Sequence, residues 1–134
     1  MSKVVRNISG AFMGGLLGAL VDSLNIWWLG KAGVTAALGI GLAPEFTMPW
    51  LYPRLVWGGL WGLLFILPVL KDRPLLRGVL FSSLPSAMVL LVIFPNMGKE
   101  VLGLGFGTFT PALVVLLNFL WGIVGAFWYR QNLR

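Results

Sequence analysis

Four apolar runs, at residues 8–29, 50–70, 76–94 and 111–129, limit what this chain can fold into more than any other feature. Each is about 20 residues long, the length a helix needs to cross a hydrocarbon layer of about 30 Å. Inside such a layer no water reaches backbone N–H and C=O groups, so a spanning segment must satisfy them within itself. The expected fold is therefore an all-α integral membrane protein, one transmembrane domain over residues 1–134 with four transmembrane helices. Composition agrees: 58% of the residues are hydrophobic, 10% are charged and the mean hydropathy is +0.90, well above the roughly 45–50% apolar content of soluble domains. The first run continues to a full span and lacks a small-residue cleavage site, so an uncleaved first helix is expected.

Charge orients the spans. Seven of the ten basic residues fall in three clusters, Lys3 with Arg6, Lys71 with Arg73 and Arg77, and Arg130 with Arg134. The connectors 30–49 and 95–110 carry only Lys31 and Lys99. The positive-inside rule then places both termini and the middle loop in the cytoplasm, and the +6 net charge reads as topology, not as a nucleic-acid surface. Trp27, Trp28, Trp50 and Tyr52 fall at the outer interface on this reading, and Trp128 and Tyr129 at the inner one. Both outer connectors are apolar and glycine-rich, so they are expected to dip into the outer leaflet or lie along it, partly re-entrant. Pro44, Pro49, Pro53 and Pro111 are expected to mark breaks before the second and fourth helices.

On the first run Gly10, Gly14 and Gly18 recur every four residues, and the next step lands on Asp22. Helical spacing puts all four on one narrow face. Lipid tails are as apolar as leucine, so membrane helices associate through close packing, which small residues permit. Gly10, Gly14 and Gly18 are expected to meet Gly78, Ser82 and Ser86 of the third run, with Gly58, Gly62, Gly122 and Ala126 as the small faces of the second and fourth. The same positions suggest a duplication. Setting residue n beside n+68 pairs Gly10 with Gly78, Gly14 with Ser82 and Gly18 with Ser86, and Leu60-Trp61-Gly62 matches Leu120-Trp121-Gly122 further on. Two parallel two-span repeats, residues 8–70 and 76–130, are expected, related by an axis along the membrane normal.

Chemistry has few places to sit. With no Cys and no His, disulfides, thiolate nucleophiles and imidazole chemistry are excluded, and no metal or cofactor is expected. Hydrolase and phosphate-loop motifs are absent too, so the chain is not read as an enzyme and has no catalytic residues. Asp22 lies six residues before Trp28, roughly 9 Å below the outer interface, and Arg54 four residues past Trp50, roughly 6 Å below it. An ionisable group at that depth should face the bundle interior and find a partner. An Asp22–Arg54 pair is expected, with Glu45 as the competing acid; it could fix helix register or serve a substrate or ion. Asn25, nearly on the Asp22 face, and Asn118, in the middle of the fourth run, complete the candidate substrate or ion site.

A small-residue span followed by Phe94-Pro95-Asn96-Met97-Gly98, and later Leu120-Trp121 with a basic end at Arg130, resembles the YagU-type family of bacterial inner-membrane proteins. The resemblance covers roughly the second half of the chain. It implies a multi-pass protein of the bacterial inner membrane and carries over no functional residue.

Three functional expectations follow. The first is an oligomeric transport or pore-type protein with a polar vestibule at Asp22, Asn25, Glu45 and Arg54. Another is a non-catalytic accessory or assembly subunit of a larger membrane complex, favoured by the scarcity of polar residues in the inner half of every helix. Lipid binding is the third, because aromatic and basic residues at helix ends suit headgroups. The expected partners are the lipid bilayer and either further copies of the chain or a larger complex, not nucleic acid.

Overall fold

The structure, a computed structural model, describes residues 2–70 and 72–132. Lys71 and Arg134, which belong to the basic clusters, lie outside the described residues. Among the described residues the chain is all-helical. Helix α1 spans Lys3–Lys31, with Ser2 as its N-cap accepting from the Val5 amide at 3.2 Å. A single turn, α2, follows at Val34–Ala37. Helix α3 covers Met48–Gly62 and runs into a 3-10 turn at Leu63–Ile66. Helix α4, Pro74–Met88, continues through a π-helical stretch, Val89–Ile93, into α5 at Phe94–Asn96. A 3-10 turn at Val101–Gly103 precedes α6, Thr110–Asn132.

Three helical segments are long and apolar enough to cross a membrane: Lys3–Lys31, Pro74–Asn96 and Thr110–Asn132. The fourth expected span, residues 50–70, does not form one continuous α-helix. It leaves the α-helical path at Gly62, and Leu67 is out of the helical region (φ −63°, ψ 133°). Pro68 explains the stop, because a proline pushes the residue before it out of the α region. The prolines act differently from expectation in one place. Pro49 and Pro111 sit in the first turns of α3 and α6, where a missing N–H costs nothing, whereas Pro53 lies inside α3 and marks no break.

The helices form an arc in the order α3, α1, α6, α4, each packed on its neighbour. The glycine seam of α1 therefore meets α6, not Gly78, Ser82 and Ser86 of α4 as the sequence pattern suggested. Gly14 lies against the Gly125 backbone, Gly18 against Trp121 and Gly10 against Asn132, whose amide also donates to the Arg6 carbonyl at 3.1 Å. One helical step round, Gly15 meets Gly58 and Gly62 of α3. Gly78 of α4 meets Gly122 of α6 backbone to backbone. Ser82 and Ser86 are buried, but their hydroxyls donate to Val79 and Ser82 carbonyls of their own helix, both at 2.8 Å, so they serve as small surface.

Below the centre of the arc the bundle is filled by rings. Phe65 is wholly buried and lies 5.8 Å from Phe81, 5.7 Å from Trp121 and 6.4 Å from Tyr129, centroid to centroid. Arg77 closes this cluster. Instead of facing water in the middle loop, it is 4% exposed in the first turn of α4. Its guanidinium donates to the Phe65 carbonyl and, at 2.6 Å, to that of Leu67, and lies over the rings of Phe81 and Tyr129 at 5.7 and 5.4 Å. Carbonyls freed where the helix ends need donors, and Arg77 Nη2 supplies both of its N–H groups.

The two connectors meet at the opposite end. The Gly41 amide donates to the Phe106 carbonyl at 2.8 Å, and Gly107, at φ 147°, lies against the Gly39 carbonyl. Ile40 is 3% exposed and packs with Ile26, Leu113 and Leu117, so the connectors roof the helix ends.

Candidate functional site

The two ends of the arc, α3 and α4, form no packed interface with each other. Between them lies a cleft whose back wall is α1 and α6. Two adjoining cavities occupy it, one of about 460 Å³ deeper in the bundle and one of about 490 Å³ under the connector roof. Asp22, Arg54, Val89, Ile93 and Asn118 line both. On the α4 side the two cavities share the ends of the π-helical stretch, Val89 and Ile93, with Pro85 and Met88 added in the deeper one. Such bulges are local distortions that persist where a wall must be reshaped, often at functional sites.

Asp22 and Arg54 are brought together. Arg54 Nη2 lies 3.4 Å from Asp22 Oδ2, while Arg54 Nε donates to Ser23 Oγ at 2.8 Å. The shorter bond anchors the guanidinium and the longer one is a loose ion pair, outside the roughly 2.7–2.9 Å of a tight charge-assisted bond. Trp50 supports the guanidinium from one side, with its ring 5.0 Å from Arg54 Cζ. Exposure is unequal: the Asp22 side chain is 12% exposed and that of Arg54 36%. Asp22 Oδ1 is buried and has no hydrogen-bond partner among the described residues.

The remaining expected site residues divide. Asn118 joins the site, half-buried on α6 and lining both cavities. Asn25 does not: its amide donates to the Val21 carbonyl of its own helix at 2.8 Å, and it lines neither cavity. Glu45 is exposed in the connector and pairs with no cation among the described residues, so it does not compete for Arg54. Trp57 and Trp61 line the deeper cavity. Two residues that sequence reasoning passed over matter here. Ser23 is fully buried and holds Arg54; its signal was its place beside Asp22, on the face one step round towards α3. Trp121, 3% exposed, donates from Nε1 to the Gly15 carbonyl at 2.9 Å and so fixes the back wall.

The pair is one-sided in its energetics. Removing Arg54 as Arg54→Ala strips a mostly buried carboxylate of its cation and is expected to cost about 2 kcal/mol, less than a fully buried pair because Arg54 still sees solvent. Asp22→Asn keeps the shape and an acceptor oxygen and should cost under about 1 kcal/mol. Thermal unfolding of the two variants in mild detergent checks the order; equal losses would mean that Asp22 does not depend on Arg54.

The chain matches no protein-family model, no curated protein and no solved structure. The site must therefore be read from its own geometry.

Proposed function

We propose that this chain is a transport-type membrane protein whose substrate is an amphipathic molecule taken in sideways, through the gap between α3 and α4. The observation that carries this reading is the cleft itself: a mostly apolar slot with a charged pair on its wall, left open where two helices fail to pack. A polar head would meet Arg54, Asp22, Ser23 and Asn118, and an apolar tail would lie along Val89, Ile93 and Met88. An axial pore is disfavoured, because Phe65, Phe81, Trp121 and Tyr129 fill the bundle beneath the site.

The proposed membrane arrangement has four spans. The α3 helix with its 3-10 turn covers Met48 to Ile66 and reaches about 30 Å at about 1.5 and 2.0 Å per residue, enough to cross as the fourth element. The connector roof then faces outward. Even without Arg77, the end holding Lys3, Arg6, Arg73 and Arg130 is more basic than the end holding Lys31 and Lys99. In a two-fold repeat the contacts α1–α3 and α4–α6 are equivalent, and so are α1–α6 and α3–α4. Three of these four form. The cleft is the fourth; the Asp22–Arg54 pair on its wall belongs to the α1–α3 contact, whose counterpart in the second repeat is apolar, Leu90 with Val114.

A bridge across the gap tests this reading. The chain has no native cysteine, so Trp57→Cys with Met88→Cys, joined by a bifunctional maleimide, ties α3 to α4 without side reactions. In proteoliposomes, transfer of a short-chain fluorescent phospholipid by the double variant is expected to be lost on bridging, measured against the same double variant before the linker is added. Transfer unchanged by the bridge, or no faster than in protein-free vesicles, would overturn the proposal.

A further inference from the structure

We propose that the cleft selects a phospholipid whose headgroup is zwitterionic and ends in a primary ammonium, with the phosphate on Arg54 and the ammonium on Asp22. This rests on the amphiphile-binding reading above and specifies its headgroup. The site holds one acid and one base, both lining both cavities, so its walls are neutral overall but polarised. A purely anionic headgroup would satisfy Arg54 and face Asp22 uncompensated; a purely cationic one would do the reverse. A headgroup with both charges meets each with its opposite.

The hydrogen-bonding inventory narrows the choice. A guanidinium has five N–H groups. In Arg54, Nε goes to Ser23 and Nη2 towards Asp22, while Nη1 has no partner among the described residues and the side chain remains 36% exposed. It offers donors to a planar or tetrahedral oxyanion, the geometry phosphate presents. The Asp22 carboxylate, 12% exposed, lining both cavities and with its buried Oδ1 unpartnered, calls for the opposite: a donor, best a charged one. A primary ammonium carries three N–H groups and fits. A trimethylammonium carries none; it could lie against the faces of Trp57 or Trp61 but would give the Asp22 carboxylate no N–H. A glycerol headgroup offers hydroxyls but no positive charge, so its phosphate would sit beside Asp22 without compensation. The loose Asp22–Arg54 contact of 3.4 Å also matters, because neither group must surrender a tight bond to receive the ligand.

The measurement starts from the unaltered full chain. Delipidated protein in mild detergent is titrated with dioleoyl phosphatidylethanolamine, its N-methyl and N,N-dimethyl derivatives, phosphatidylcholine and phosphatidylglycerol, and bound lipid is counted by native mass spectrometry. Retention is expected through the dimethyl compound, which keeps one N–H, followed by a drop of about ten-fold at phosphatidylcholine, the worth of one charge-assisted hydrogen bond. Phosphatidylglycerol should bind about as weakly as phosphatidylcholine. Asp22→Asn should flatten the series, and Arg54→Ala should weaken every member. Water-soluble phosphoethanolamine should not displace the lipid, since it lacks the chains that fill the apolar walls. Equal binding of ethanolamine and choline lipids would overturn the headgroup assignment and leave the amphiphile reading standing. Binding of no lipid at all would overturn both.

Discussion

Gly122→Val is expected to break the α4–α6 interface. A Cβ at Gly122 would run into the Gly78 carbonyl oxygen, with Gly78 Cα only 3.1 Å away. Those neighbours are backbone atoms, so no side chain can rotate aside, and the helices must separate. Overpacking a core costs about 1–3 kcal/mol when side chains can adjust. Here they cannot, and a loss of about 3 kcal/mol or more is expected, read as a fall in unfolding temperature and a loss of monodisperse protein in detergent. Gly15→Val should behave alike, because Gly15 faces the Gly58 carbonyl and Gly62 Cα at 2.8 Å. The contrast is Gly41→Ala, where the nearest atom, the Phe106 carbonyl oxygen, is 3.5 Å from the new Cβ. That variant should unfold like the parent protein. If Gly122→Val did so too, the backbone-to-backbone packing of α4 on α6 would be wrong.

Arg77→Ala carries the second large effect. The guanidinium is buried, caps the Phe65 and Leu67 carbonyls and covers the Phe81 and Tyr129 rings. Each hydrogen bond to a charged group contributes about 1.5–3 kcal/mol; the Phe65 carbonyl would lose its guanidinium donor, and that of Leu67 would keep only the Val69 amide at 2.8 Å. A loss of about 3–5 kcal/mol is expected, concentrated where α3 hands over to the 3-10 turn. Arg77→Lys should recover part of it, since an ammonium can still donate to these carbonyls but lacks the planar guanidinium that lies over the Phe81 and Tyr129 rings. Thermal unfolding ranks the three proteins. Limited proteolysis in the segment joining α3 to α4 shows where the loosening lies. An Arg77→Ala protein as stable as the parent, uncut there, would mean that Arg77 is a solvated loop cation after all.

That last alternative is what the charge pattern alone suggested. Arg77 stands with Lys71 and Arg73 in a basic run, and a topology rule counts all three alike. Nothing in the run says that α4 begins at Pro74 and turns the third cation inward against carbonyls of the preceding segment. Glu45 and Asn25 were drawn to the site by proximity in sequence or by helical spacing. Each is disposed of locally, Glu45 by exposure and Asn25 by a bond to its own helix.

The sequence by itself determined the helical character, the apolar lengths and the smooth faces, because these depend only on residue type at fixed spacing along one chain. Counting helical rise from Trp28 and Trp50 also led to the expectation of an Asp22–Arg54 pair, which the structure brings to 3.4 Å. Only the tertiary structure decided which smooth faces meet. Glycine steps on α1, α4 and α6 are interchangeable as patterns, whereas the packed pairs follow from how two backbones and one ring, Trp121 against Gly15 and Gly18, fit together. The tertiary structure also left α3 and α4 apart. The cleft is a contact that does not form, and the failure of two surfaces to pack is a property of both together, invisible in either stretch of sequence alone.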